Sequence, residues 1–179
     1  MARWGRIWVG AGGNLDGSRE ILPVAVSAIA EFAVVDGVAS MYRSAPRERA
    51  DQPDFLNSAL ALETDVGPLE VLGKLKSIER RLGRDPDGER FGPRLIDLDI
   101  LVVEGVCIDE PGLVVPHPRL AERRFALEPL AELDPELRPW AACPDDPRRD
   151  LTVAEALAAV LDQDVEVVAG PEWAAGGSV

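Results

Sequence analysis

The chain has 179 residues, of which 46% are hydrophobic and 28% are charged, a balance typical of a single globular domain. Acidic residues outnumber basic ones by 32 to 19, and the resulting net charge of −13 opposes binding to nucleic acid or anionic membranes. The same charge repels ATP, so a nucleotide site would have to supply its own arginines and metal.

Elements predicted in chain order fill the first hundred residues. They are a strand at 7–10, a helix at 18–30, strands at 34–42 and 55–63, a helix at 68–82 and a strand at 95–103. This β-α-β-β-α-β order predicts an α+β fold with a ferredoxin-like core, an antiparallel sheet with helices packed on it. The fold by itself does not determine the function.

The remaining residues are divided by prolines. A helix is expected near 118–125, and another over 152–161, where Thr152 and Glu155 have the spacing of a capping box. We expect residues 1–169 to form one domain and 170–179 to be a frayed tail. No apolar run approaches the roughly 20 residues of a membrane span, and the N-terminal stretch is too short for a signal peptide, which predicts a cytoplasmic protein. Cys107 and Cys143 are accordingly expected to be reduced thiols.

The sharpest local motif is a pair of aspartates on the strand at 95–103. Asp97 and Asp99 are two residues apart, so both carboxylates should project from one face of the strand. Carboxylates at this spacing are typical Mg²⁺ ligands when phosphates complete the site, and Arg94 lies close enough in sequence to contact the same phosphates. The alternative is a solvent-facing edge of an amphipathic strand.

The segment 90–101, RFGPRLIDLDIL, resembles the signature of the 6-hydroxymethyl-7,8-dihydropterin pyrophosphokinases. Further stretches resemble this family in the same order, and together they cover most of residues 7–137: 42–46 with 51–57, 78–84, 115–125 and 129–133. The resemblance implies a ferredoxin-like α+β fold. It also implies transfer of the pyrophosphoryl group of ATP to the hydroxymethyl group of the pterin, with release of AMP, in folate synthesis.

The resemblance also implies roles for individual residues. Two Mg²⁺ ions are expected at Asp97 and Asp99, with ATP as co-substrate. ATP is expected to contact Glu79, Arg84, Arg94, His117 and Arg123, and Arg84 and Arg94 are also expected to act in catalysis together with the two aspartates. The pterin is expected to contact Ser44, Ala45, Pro46, Phe55, Asn57 and Phe125, with the two phenylalanines on either side of its ring. Core packing for Phe55 and Phe125, and an exposed helix charge for Glu79, are the alternatives.

The most serious departure from the family pattern lies in one loop. The loop 84–91 has Pro86 and Asp87 where relatives have basic residues, and Phe91 where they have tryptophan. This loop is therefore expected to be a poor phosphate clamp, and arginines at 47, 49 or 90 could compensate. The rival functions are a family member that binds its ligands without turnover, an RNA-binding module, and an acylphosphatase-type or metal-regulatory domain of the same fold.

Overall fold

The structure is a computed structural model that describes residues 4–47, 51–85 and 92–176. Its strands are β1 (Ile7–Gly13), β2 (Val34–Val38), β3 (Met41–Ser44), β4 (Phe55–Glu63), β5 (Asp97–Val103), β6 (Ile108–Glu110), β7 (Leu113–Val115) and β8 (Val165–Ala169). Its helices are α1 (Ser18–Ile29), α2 (Pro68–Arg81), α3 (Arg124–Leu133) and α4 (Val153–Ala158), with 3-10 helices at Leu120–Glu122 and Pro171–Gly176. No helix in these ranges is long and apolar enough to cross a bilayer.

The main sheet is antiparallel, with the strand order β5-β1-β4-β3-β8, and β2 also pairs with β4. Two clusters of buried apolar side chains pack against it, one that includes residues of α1 and α2 and one that includes residues of α3 and α4. The predicted α+β fold with a ferredoxin-like core is thus confirmed.

Strand β1 is longer than predicted and lies in the middle of the sheet, between β4 and β5. A Cβ atom at Gly12 would lie 2.8 Å from the carbonyl oxygen of Leu56, and one at Gly13 would lie 2.3 Å from that of Leu95. Only glycine permits such close backbone contacts. The glycines beyond residue 10 therefore extend the strand and bring its neighbours close at this end of the sheet.

The single strand predicted at 34–42 is wrong, because β2 ends at Val38 and β3 begins at Met41. Between them, Ser40 turns to the carboxylate of Glu132 on α3, to which its backbone N–H and its hydroxyl each donate at 2.9 Å. The hydroxyl of Tyr42 donates to the same carboxylate at 2.7 Å. Glu132 thus fixes α3 to the sheet at the break between the two strands.

The C-terminal part of the chain differs from the predictions in several places. The helix expected near 118–125 is a 3-10 turn followed by α3, which continues past Pro129 to Leu133. The capping box at Thr152 is confirmed. The segment from Gly170, for which fraying is expected, contains a 3-10 helix whose Trp173 indole N–H donates to the carbonyl of Ala39 at 2.8 Å.

The expectation of two reduced thiols is wrong. Cys107, in the turn before β6, and Cys143 form a disulfide across 36 residues of sequence. The residues between them include β6, β7 and α3. The disulfide therefore fixes the turn after β5 to the segment that follows α3.

Candidate active site

A cleft of about 770 Å³, including the space at its open mouth, lies at the glycine-rich end of β1. Ten of the predicted site residues line it: Ser44, Ala45, Phe55, Asn57, Arg94, Asp97, Asp99, His117, Arg123 and Phe125. Pro46, Glu79 and Arg84 were also predicted but do not line the cleft.

The sheet register sets the distance across this cleft. Asn57 on β4 and Asp97 on β5 both pair with Gly12 on β1, so the three residues form one row on one face. Neighbouring strands are about 4.8 Å apart, which separates the Asn57 and Asp97 backbones by roughly 10 Å. The row therefore divides the cleft into a carboxylate side around Asp97 and Asp99 and an amide side around Asn57.

On the carboxylate side, both aspartates are paired with cationic side chains. Asp97 contacts the guanidinium of Arg84 and lies 3.3 Å from Nε of Arg94. Asp99 accepts a hydrogen bond from Nζ of Lys76 at 3.0 Å. The intervening Leu98 is buried and both aspartates are partly exposed, which confirms that the carboxylates share one face of β5.

Glu79 of α2 binds two of the cationic side chains that pair with these aspartates, Lys76 and Arg84. Its carboxylate is 2% exposed, so the alternative of an exposed helix charge is wrong. It accepts hydrogen bonds from Lys76 at 2.9 Å, from Arg84 at 2.7 Å and from the backbone N–H of Leu98 at 2.6 Å. Glu79 therefore positions Lys76 and Arg84 against the aspartates.

The pKa shifts on the carboxylate side reflect burial opposed by these charges. Burial raises the pKa of Glu79 above its usual value, and the adjacent Lys76, the Leu98 N–H and Arg84 only partly offset it. Burial also acts to raise the pKa of Asp99, but the charge and hydrogen bond of Lys76 outweigh it, so that the pKa is lowered. Asp99 is therefore a carboxylate at neutral pH.

Lys76 is a site residue that the sequence analysis missed. Its Nζ also donates to the carbonyl of Leu98 at 2.8 Å, so that it binds β5 through both side chain and backbone. The sequence did contain a signal for Lys76: it lies three residues before Glu79, and this spacing places both side chains on the same face of a helix.

The amide side is built from two aromatic rings, an amide and a hydroxyl. Nδ2 of the buried Asn57 donates to the Ser44 hydroxyl at 3.0 Å. The Phe55 and Phe125 rings are partly exposed in the cleft, so that neither is wholly a core residue. The guanidiniums of Arg94 and Arg123 lie 5.5 Å from the centroids of the Phe55 and Phe125 rings respectively. Each ring is thus next to an arginine for which the sequence analysis predicts a contact with ATP.

His117 lines the cleft and lies shortly before the 3-10 helix at Leu120–Glu122. Its Nδ1 accepts a hydrogen bond from the backbone N–H of Arg119 at 3.2 Å, and the backbone N–H of His117 donates to the Leu101 carbonyl at 2.8 Å. Burial and the nearby charges of Arg123 and Arg119 lower the pKa of His117, although Asp99 opposes them. The imidazole is therefore neutral at pH 7, and its Nδ1 is the acceptor in the contact with Arg119.

The aspartate pair fits a magnesium site that a nucleotide completes. In the part of the chain that the structure describes, no three His, Cys, Asp or Glu side chains are grouped to hold a metal alone. Mg²⁺ is usually held by one or two carboxylates together with phosphates and water, and two strand carboxylates on one face meet that requirement. Residues 86–91 of the acidic loop lie outside the described ranges, so their effect on phosphate binding stays a prediction.

Comparison with known proteins gives one family. The family described as 7,8-dihydro-6-hydroxymethylpterin-pyrophosphokinase (HPPK) matches residues 8–135. A 2-amino-4-hydroxy-6-hydroxymethyldihydropteridine pyrophosphokinase of Pseudomonas aeruginosa is 43% identical over 136 residues, covering 74% of this chain and 83% of the relative. One from Synechocystis is 36% identical over 179 residues, covering 96% and 84%.

Solved structures agree on the fold. Plasmodium falciparum HPPK-DHPS, solved with pteroate, matches 89% of this chain with a TM-score of 0.70 at 12% identity. The chain covers 45% of that longer protein. With the fold, the cleft and the matched residues in agreement, the chain belongs to the 7,8-dihydro-6-hydroxymethylpterin-pyrophosphokinase family.

Proposed function

We propose that the protein transfers the β,γ-pyrophosphoryl group of ATP to the hydroxymethyl group of 6-hydroxymethyl-7,8-dihydropterin in an Mg²⁺-dependent reaction that releases AMP. One observation carries this proposal: the aspartate pair and its arginines share a single cleft with Phe55, Asn57 and Phe125. A charged group and a flat heterocycle can therefore be held together in that cleft.

The amide side would bind and orient the pterin. Phe55 and Phe125 offer aromatic faces on which a fused ring can stack, and the amide of Asn57 can both donate to and accept from the polar ring edge. The hydrogen bond to Ser44 uses one Nδ2 hydrogen, which fixes the orientation of the amide. The hydroxymethyl group would then point along the row towards Asp97.

The carboxylate side would bind the triphosphate. Asp97 and Asp99 would hold two Mg²⁺ ions, which supply charge neutralisation on the transferred group and on the AMP leaving group. Arg94 and Arg123 line the cleft and can donate to phosphate oxygens, while Glu79 keeps Arg84 and Lys76 in place behind the aspartates. The pterin hydroxyl attacks the β-phosphorus in line, the bond from that phosphorus to the AMP oxygen breaks, and the hydroxyl proton passes to solvent.

Positioning and electrostatics account for this mechanism, because no covalent enzyme intermediate is needed. Incubation with ATP and Mg²⁺ should release AMP only when the hydroxymethyl pterin is present. A pterin that lacks the hydroxymethyl group should give none, and a chelator should stop the reaction. A chain that binds both ligands without releasing AMP would be the non-catalytic family member instead.

We also propose that residues 1–169 form one pyrophosphokinase domain and that the protein acts in the cytoplasm. That compartment usually keeps thiols reduced, whereas Cys107 and Cys143 are bonded to each other in the structure. Fractionation of intact cells, with the pyrophosphokinase activity assayed in each fraction, tests the assignment. Activity in the cytoplasmic fraction would support it, and activity confined to another fraction would contradict it.

A further inference from the structure

The two loops that form the outer walls of the cleft are joined by a residue outside it. Arg47, after β3, lines one wall, and Arg123 and Phe125 line the other. Gln163 does not line the cleft and lies beyond the residues 8–135 matched by the family. It lies between α4 and β8, more than a hundred residues along the chain from Arg47.

The side-chain amide of Gln163 contacts both walls. Its oxygen accepts from Nη1 of Arg47 at 2.8 Å and from the backbone N–H of Arg124 at 3.0 Å. Its Nε2 donates to the carbonyl of Glu122 at 2.9 Å. The same Arg47 nitrogen also contacts the Glu122 carbonyl, so that the three groups form a closed ring of hydrogen bonds.

A second set of contacts fixes the backbone of this segment. The guanidinium of Arg124 donates to the carbonyl of Gln163 at 2.8 Å and to that of Leu161 at 3.0 Å. Arg124 also forms an ion pair with Glu128 one turn along α3, at 2.6 Å. These contacts hold the Gln163 amide against the start of α3, next to Phe125, whose side chain lines the cleft.

We infer that Gln163 is a positioning residue for the pterin: it holds Arg47 and the Phe125 segment at a fixed separation across the mouth of the cleft. An uncharged amide suits this position, because only a group that both donates and accepts can satisfy the guanidinium, the N–H and the carbonyl at once. The inference rests on the proposed function. It gives the C-terminal segment a role in substrate binding, and it brings one of the arginines expected to compensate for the acidic loop to the cleft.

Substitutions of Gln163 separate its donor from its acceptor. Gln163→Met keeps the length and loses both, so that only the direct contact between Arg47 and the Glu122 carbonyl still joins the two walls. The dissociation constant of the pterin should therefore rise roughly tenfold. Gln163→Glu keeps the acceptor for Arg47 and Arg124 but faces the Glu122 carbonyl with a carboxylate, and should give a smaller rise. Glu166→Gln is the matched control, because Glu166 binds the exposed Arg43 at 2.7 Å from the same C-terminal segment.

Binding of 6-hydroxymethyl-7,8-dihydropterin should be measured by calorimetry in the presence of Mg²⁺ and a non-hydrolysable ATP analogue. The expected order of dissociation constants is Gln163→Met above Gln163→Glu above wild type, with Glu166→Gln equal to wild type. In the Arg47→Met background, Gln163→Met should have a distinctly smaller effect than it has alone, because one shared contact is already lost.

Two outcomes would overturn the inference. One is a wild-type pterin affinity in Gln163→Met, and the other is an equal loss of pterin affinity, analogue affinity and thermal stability, which would indicate general loosening. Turnover by the wild type separates this result from the proposed function. A wild-type protein that forms pterin diphosphate while the variants bind normally refutes only the role of Gln163, and a wild type that binds no pterin refutes both.

Discussion

The carboxylate side of the cleft is held together by pairs of opposite charges, whereas the amide side is formed by aromatic rings and an amide. On the carboxylate side, Asp97, Asp99 and Glu79 form a connected network with Lys76 and Arg84. On the amide side, a hydrogen bond links Asn57 to Ser44, next to two rings. Removing a charged side chain from the carboxylate side leaves its partners unpaired, whereas removing a ring from the amide side leaves an unfilled space in the cleft.

This difference indicates that the buried charge of Glu79 on the carboxylate side supports the fold, whereas the amide side contributes mainly to ligand binding. The charges of the carboxylate side are already placed in the cleft before phosphates arrive. Rings and an amide contribute mainly contact area and orientation, which matter only when the flat ligand is present.

The largest effect is expected at the aspartates. Asp97→Ala or Asp99→Ala should lower turnover by roughly a thousandfold or more, because each removes a carboxylate that fits the metal-phosphate assembly. The fold should persist, since both side chains are partly exposed and their repulsion is also relieved. AMP release and thermal unfolding measured on the same samples test this. Loss of cooperative unfolding with unchanged Mg²⁺ dependence of the residual activity would instead assign the pair a structural role.

The next largest effect is expected at Glu79, and there it should appear in stability. Glu79→Ala leaves Lys76, Arg84 and the Leu98 N–H without their shared acceptor, and should lower the free energy of unfolding by about 2–4 kcal/mol. Glu79→Gln keeps an acceptor oxygen and should cost less. Urea unfolding measures both. Equal stabilities for Glu79→Ala and wild type would show that the network does not support the fold.

On the amide side, Phe55→Ala should weaken pterin binding by about 1–3 kcal/mol, the scale of one stacked ring. ATP affinity and thermal stability should hardly change, because the ring is partly exposed in the cleft. Calorimetric titration with each ligand measures the two affinities. If both affinities fell together with stability, Phe55 would be acting as a core residue and the separation of the two sides would fail.

The smallest effect is expected at Lys76, whose charge occupies Asp99 in the absence of metal. Lys76→Met should strengthen Mg²⁺ binding by about fivefold, because a competing cation is removed from the carboxylate. Lys74→Met is the matched control, since Lys74 lies on the same helix and pairs with the exposed Glu70. The measurement is the Mg²⁺-dependent rise in melting temperature without nucleotide. An equal rise in both variants would place Lys76 outside the metal site.

Local patterns in the sequence predicted the fold and much of the cleft. The same-face geometry of Asp97 and Asp99 follows from the two-residue period of a strand, and the capping box at Thr152 follows from a three-residue spacing. Phe55 and His117 line the cleft, and both could be predicted as site residues because they lie in segments that resemble motifs of the family.

The features that were missed depend on contacts between distant residues. Ser40, at the strand break, is bound to Glu132, 92 residues away, and the bond between Cys107 and Cys143 spans 36 residues. Gln163 has no motif, and its contact with Arg47 spans 116 residues. None of these partners could be paired by periodicity or spacing, because tertiary packing alone brings them together.

The most direct test of the central claim is to follow both transferred phosphorus atoms. Wild-type protein should be incubated with Mg²⁺, 6-hydroxymethyl-7,8-dihydropterin and ATP labelled in the β and γ phosphates, and the products separated. We predict that both labels appear together on the pterin in equal amounts and that the AMP formed is unlabelled. Labelled ADP with a pterin monophosphate, or free labelled phosphate with unmodified pterin, would contradict pyrophosphoryl transfer by this protein.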